Sequence, residues 1–115
     1  MLVTVTLGWP PTANTYWRRN GNRYFISPKG MAYRKATSIS CLPYKDSFPI
    51  EHRLRVNIHA SPPDRRRRDL DNICKCLLDS LQHGGLYVDD SQIDILYIVR
   101  TSFLSGQVIV TIESI

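Results

Sequence analysis

Read for its alternation of apolar and polar positions, the chain opens on a strand. Leu2–Leu7 (LVTVTL) alternates β-branched and apolar residues, and Gly8-Trp9-Pro10-Pro11 stops it. Thr12–Ile26 shows no period and reads as a loop of interleaved basic and aromatic side chains. Ser27–Cys41 reads as a helix, with Ser27 as N-cap, Pro28 in the first position and a ragged apolar face of Met31, Tyr33, Ala36 and Ile39. Leu42–Pro49, with two prolines, reads as a loop. Arg53–Ala60 alternates cleanly, with Leu54, Val56 and Ile58 on one face, and predicts a second strand. Helical spacing returns at Leu70, Ile73, Leu77, Leu78 and Leu81, which predicts a helix over Asp69–Gln82 stopped at Gly84-Gly85. Gln92–Thr101 and Gln107–Glu113 read as two last strands, joined as an antiparallel hairpin by a short turn at Leu104-Ser105-Gly106. The order β-α-β-α-β-β predicts an α+β fold, one domain over residues 1–115 in which helices cover a layer of mixed sheet.

Composition narrows the class. A chain of 115 residues, 43% hydrophobic and 22% charged, has the makeup of one globular domain. Its net charge is +5, and four of its fifteen basic side chains fall together at Arg65–Arg68, which suggests a polyanion partner such as nucleic acid. A localisation signal would also explain RRRR, but it leaves the adjoining aspartates without a reason. Cys41, Cys74 and Cys76 have no metal-ligand spacing, and Cys74 and Cys76 face different ways on a helix, so reduced thiols in an intracellular protein are expected. Met1–Leu7 does not resemble a signal peptide and no apolar run is long enough to span a bilayer, so a cytoplasmic protein with no membrane partner is expected. His59, at a strand end, reads as an ordinary polar residue, and His52 and His83 have no partner at a ligand spacing.

The candidate chemistry lies in Pro62–Leu81 (PPDRRRRDLDNICKCLLDSL). Two prolines, four arginines, the pair Asp69 and Asp71 and a helix start are packed into a few residues, as metal-assisted chemistry on a phosphate backbone requires. Two positions apart on a helix diverge by about 200°, so both aspartates inside it could not share a metal. Asp69 is therefore expected as the N-cap, converging with Asp71 in the first turn, with Lys75 one turn further on beside them. The plainer alternative is a capped, dipole-complemented helix beside a solvated basic loop. Asp89 and Asp90, after the helix, could supply a third carboxylate, since a magnesium ion takes oxygen ligands and only a few protein carboxylates. Spacing does not choose between them, and turn chemistry alone would need only one. In Thr12–Ile26, Asn14, Arg18 and Arg19 with their aromatic neighbours suit phosphates and exposed bases, or equally a loop whose aromatics pack inward.

These residues resemble a known family. PDRRRRDLDN (Pro63–Asn72), then Lys75, then Asp89-Asp90, is similar to the RusA family of Holliday-junction resolvases; WPPTANTYWR (Trp9–Arg18) and the pair Tyr33-Arg34 resemble it too. The resemblance runs along nearly the whole chain in the same order. It implies a RusA-like fold and a small homodimeric endonuclease, dependent on Mg²⁺ with Mn²⁺ as the alternative ion, that resolves four-way junction DNA by paired symmetric nicks in recombination and repair. By position it implies that Asp69, Asp71 and Asp90 are the catalytic, metal-holding carboxylates and Lys75 the essential lysine, with Arg68 the basic residue beside the first aspartate; it thus selects Asp90 over Asp89. Arg65, Arg66, Arg67, Arg68, Asn14, Arg18 and Arg19 are the expected DNA contacts. Ala13 stands where the family often has Asn, and the chain stops almost at its last strand. A bacterial or phage-encoded protein, associated with the nucleoid through DNA, is the expected setting. The rivals are a non-catalytic junction-binding module with a structural acidic cluster, and a metal nuclease acting on flaps or ordinary duplexes.

Overall fold

The computed structural model describes residues 1–115 and is of the expected α+β class. Strand β1 (Leu2–Gly8) is followed by the short helix α1 (Ala13–Tyr16), the strands β2 (Trp17–Asn20) and β3 (Arg23–Ile26), and helix α2 (Pro28–Cys41). Strand β4 (Leu54–Ser61), helix α3 (Asp71–His83), and strands β5 (Ile93–Arg100) and β6 (Gln107–Ser114) complete it. The main sheet has the order β1-β6-β4-β5, with β4 parallel to β5 and antiparallel to β6, and β6 antiparallel to β1. Alternation fixes its two faces. Val3, Val5 and Leu7, Leu54, Val56, Ile58 and Ala60, and Val108, Val110 and Ile112 all turn inward and are buried. Helix α3 closes over them with Ile73, Leu77 and Leu81. Each buried Val, Leu or Ile side chain contributes roughly 1.5–3 kcal/mol through burial.

Three expectations are corrected. The Thr12–Ile26 segment is not a loop: Thr12 caps α1 by accepting from the Thr15 N–H at 3.3 Å, and Trp17–Ile26 forms a hairpin turned at Gly21, whose φ of +62° suits a residue without a Cβ. The last two strands are not a hairpin, because β4 lies between them. The chain from Thr101 to Gly106 passes across the end of β4 instead, with the Thr101 N–H donating to the Ala60 carbonyl at 2.9 Å and the Gly106 N–H to that of Pro62 at 3.3 Å. Asp69 is not an N-cap either: α3 begins at Asp71, Leu70 stands at the cap, and no side chain caps it. The carbonyl of Asp69 accepts from the Asn72 N–H at 3.2 Å, so its backbone closes the turn and its carboxylate is left unused. The expected start of α2 and stop of α3 hold. Ser27 caps α2 through the Gly30 N–H at 3.1 Å with Pro28 in the first turn, and Gly85 takes the left-handed φ of +83° after α3.

The apolar face expected on α2 differs in detail. Met31 and Ile39 are exposed, and the buried stripe is Gly30, Thr37 and Cys41. Close approach explains this, since a Cβ at Gly30 would lie 2.7 Å from Cδ1 of Tyr16. Tyr16 is fully buried and joins α1 to the other two helices. Its hydroxyl donates to the Asp79 carboxylate on α3, while Arg34 on α2 donates to that carboxylate at 2.8 Å and to the Tyr16 oxygen at 2.9 Å. Burial pushes the Tyr16 phenol up to about 12, and its bond to Asp79 adds to the rise. Burial alone would raise Asp79, but the bonds from Tyr16 and Arg34 outweigh it and hold the carboxyl below its usual range. The three cysteines are free thiols, and burial raises the pKa of Cys41 to about 11 and of Cys76 to about 12. No helix is long and apolar enough to cross a membrane.

A depressed carboxyl pKa contributes stability above the unfolded value and loses it as pH falls through the folded one. Asp79→Asn is therefore expected to cost roughly 2–3 kcal/mol at neutral pH and to flatten the loss of stability below about pH 4, read by urea unfolding across a pH series.

Candidate active site and nucleic-acid interface

Strand β4 ends at Ser61, and Pro62-Pro63 turns the chain into the arginine loop. Four adjacent cations would repel, and Asp64 organises them. Its carboxylate accepts from the Arg66 backbone N–H at 2.9 Å, from Nε of Arg66 at 3.2 Å and from Nη1 of Arg68 at 2.6 Å. The Arg68 bond, ahead of the others, holds the Asp64 carboxyl far below the usual carboxylate range. Arg68 is fixed further: its guanidinium lies 5.9 Å from the centroid of the Trp9 ring, and Arg100 at the end of β5 donates to its carbonyl. Arg65 and Arg67 are exposed and have no acidic partner. Arg65–Arg68, Asp69 and Arg100 line an open cleft of about 550 Å³. A second groove of about 270 Å³ continues from it past Trp9, Thr12, Asp69 and Asn72.

Asp69 and Asp71 thus stand at the mouth of a basic cleft, both exposed and neither in an ion pair. Lys75 is exposed one turn along α3 and forms no ion pair with Asp71. Asp89 and Asp90 are now separable. Asp89 caps a 3₁₀ turn over Asp90–Gln92, accepting from the Ser91 N–H at 2.9 Å in a capping box with Gln92. Those bonds lower the pKa of Asp89. Asp90 stays exposed with no basic partner, while its N–H donates to the Gln82 side chain at 2.9 Å. Gln92, fully buried, locks this turn: its Oε1 accepts from the N–H groups of Val88 and Asp89, and its Nε2 donates to the carbonyls of Pro49 and His52 at 2.8 and 3.0 Å.

The expected three-carboxylate cluster is not assembled within one chain. Asp90 docks on Gln82 in the last turn of α3, whereas Asp69 and Asp71 lie at its first turn, and the helix rises about 16 Å from Asp71 to Gln82. No three acidic, imidazole or thiol side chains come together. The donor chemistry fits a hard cation, since Asp69 and Asp71 are unpaired carboxylates; the count in one chain does not. Asn14 is exposed on α1, and Arg18 and Arg19 on β2. Trp9, Asp64, Gln92 and Arg100 shape the site as well, and the sequence motifs do not mark them as site residues. An Asp after paired prolines is a turn signal that could have marked Asp64; nothing local marks Arg100, which meets Arg68 from thirty-two positions away.

A basic cleft opening onto unpaired carboxylates at a helix start defines a class, the enzymes that work on the phosphodiester backbone. The family described as "Endodeoxyribonuclease RusA" matches residues 8–113. A crossover junction endodeoxyribonuclease rusA of Enterobacteria phage HK97 is 49% identical over 94 residues, covering 82% of this chain and 78% of its own. That of Enterobacteria phage 82 is 38% identical, covering 89% and 85%, and RusA of Escherichia coli strain K12 is 34% identical, covering 90% and 86%. The chain belongs to the RusA family of endodeoxyribonucleases.

Because Arg65 and Arg67 are the free cations of the loop, the pair Arg65→Ala and Arg67→Ala is expected to lower the slope of log K against log salt for duplex DNA by about 2. Melting temperature should hardly change. Arg68→Ala is expected to lower the melting temperature as well, because Asp64 and Trp9 lose their shared partner. Anisotropy titrations from low to high salt, with thermal melts, read both.

Proposed function

We propose that this chain is a magnesium-dependent, structure-selective endonuclease that resolves four-way DNA junctions by paired symmetric nicks, acting as a homodimer. The observation that carries this is the state of Asp69 and Asp71: exposed and unpaired beside four arginines, two of which are already bound by Asp64. The crossover-junction names of the phage and bacterial relatives favour a branched substrate. Asp69, Asp71 and Asp90 would hold Mg²⁺, with Mn²⁺ as the alternative. Bound there, the ion would activate water and stabilise charge at phosphorus. Arg65 and Arg67 bind and orient the backbone, and Lys75 offers a positive charge near the leaving oxygen.

The separation of the carboxylates supports a dimer. Strand β5 is a sheet edge paired only to β4, and Leu96, Tyr97 and Val99 on it are 42–60% exposed. A two-fold axis through the middle of β5 would pair it with its copy antiparallel and exchange its ends. Asp90 lies just before one end, and Arg100 at the other grips Arg68 beside Asp69. Such pairing carries the partner subunit's Asp90 toward Asp69 and Asp71, and gives two equivalent sites for two cuts.

A synthetic four-way junction is expected to be nicked in symmetric pairs only with the divalent ion, and at least about a hundredfold more slowly by Asp71→Asn. Tight binding without cutting, unchanged in Asp71→Asn, would make the protein a binding module. Shared sites have their own signature: Asp71→Asn and Asp90→Asn proteins, inactive alone, are expected to regain single-strand nicking when mixed, because one site of the mixed dimer is intact. No recovery in mixtures shown to form mixed dimers would place all three carboxylates in one subunit.

A further inference from the structure

We infer that α1 and the β2–β3 hairpin form a slot for one unstacked nucleobase, taken from the branch point of the junction. The proposal rests on the junction reading above and adds to it the group that recognises the branch.

The hairpin presents aromatic surface that the core does not use. In its register, Trp17 pairs with Ile26 and Arg19 with Tyr24, so Trp17, Arg19 and Tyr24 share one face. Tyr24 is 67% exposed, and on the other face Phe25 is 46% exposed. Two-stranded hairpins are marginal alone, so exposed aromatic rings here are surface the fold leaves uncovered. Only the base of the hairpin is anchored, through the Ser27 N–H on the Tyr16 carbonyl at 2.8 Å and the edge-on contact of Trp17 with Tyr16.

Ala13, Asn14, Trp17, Arg18, Arg19 and Tyr24 enclose an open groove of about 500 Å³. Its chemistry is that of a base site. Tyr24 and Trp17 offer ring surfaces, and the Arg19 guanidinium, 5.6 Å from the Tyr24 centroid and tethered to the Gly21 carbonyl at 2.7 Å, adds a cation. Asn14 makes no side-chain hydrogen bond within the chain, which leaves its amide for a base edge. The slot and the cleft have separate linings that adjoin at the start of α1. Thr12, which caps α1, lines the groove that also holds Arg67, Arg68, Asp69 and Asn72, and Asn14 stands two residues along the same short helix. A strand whose phosphates follow Arg65–Arg68 past Asp69 would reach this slot by crossing the start of α1. In a continuous duplex every base is stacked and none is free to enter; at a branch point bases can unstack, and stacking on protein rings is sequence-tolerant.

The test places 5-iodouracil singly at each branch-point position, and at mid-arm positions, of a synthetic junction bound by full-length Asp71→Asn protein. Long-wavelength irradiation cross-links stacked aromatic side chains, and mass spectrometry maps the adducts. Branch-point positions are expected to give adducts at Tyr24 or Trp17, and mid-arm positions none. Tyr24→Ala is expected to lower the ratio of junction to duplex affinity about tenfold, and Tyr24→Trp to retain it. Equal yields from the arms, adducts only outside the hairpin, or an unchanged ratio in Tyr24→Ala would overturn the slot. If Mg²⁺-dependent junction cutting by the unaltered protein persists in that case, the slot alone falls. If the unaltered protein shows neither cutting nor a preference for junctions, the junction reading falls and the slot with it.

Discussion

The parallel pairing of β4 with β5 is the constraint on which the arrangement of the site depends. Parallel neighbours cannot be joined by a tight turn, so the chain must leave one end of the sheet and return at the other before the second strand starts. Helix α3 makes that return. The arginine loop with Asp69 and Asp71 consequently lies at the end where β4 finishes, and Asp90 at the end where β5 begins. Both poles are held. Arg100 and Gly106 bind the chain around Arg68 and Pro62 at one, and Gln92 binds the Pro49 and His52 carbonyls at the other. The separation of the carboxylates follows from this topology, and local rearrangement of a loop would not remove it.

Much of the fold is legible in the sequence where one local rule decides the outcome. The alternation of Leu54, Val56 and Ile58, the Ser27-Pro28 start and the Gly85 stop each depend on a few adjacent residues. The misreadings arise where a distant partner decides. The last strands read as a hairpin because they are close in sequence, yet α3 requires β5 beside β4, and β6 then pairs with the other edge of β4 and with β1. The six residues Thr101–Gly106 are long for a tight hairpin, which was the available signal. Asp69 reads as a cap from its residue type, but the turn is closed by its own carbonyl. The motif correctly marks where the acidic residues lie on the chain; distance within the folded chain decides which of them can meet.

The network of Tyr16, Arg34 and Asp79 belongs to the same lesson, since its members come from α1, α2 and α3 and no spacing could pair them. A partly buried ion pair is weak evidence for net stability, because desolvation offsets much of its attraction. Its effect here is positional. By tying α1 to the middle of α3 it fixes Thr12 and Asn14 relative to Asp69 and Asn72, so the hairpin that follows α1 keeps one orientation to the cleft. The buried glycine at the start of α2, against Tyr16, lets the three helices close that tightly.

The arginine run shows how one residue outside the expected site sets its chemistry. Four guanidinium groups next to two carboxylates would ordinarily neutralise them, and a carboxylate held by arginine is a poor ligand for a cation. Asp64 alters this balance. By engaging Arg66 and Arg68 it occupies two arginines that would otherwise compete for Asp69, and it leaves Arg65 and Arg67 exposed without an acidic partner. The division is made locally, because the chain turns at Asp64 and brings the Arg66 N–H and the Arg66 and Arg68 side chains onto one carboxylate. The acidic pair therefore stays out of any ion pair within a strongly basic surface. Unpaired carboxylates and unpaired guanidinium groups can then stand side by side without cancelling one another.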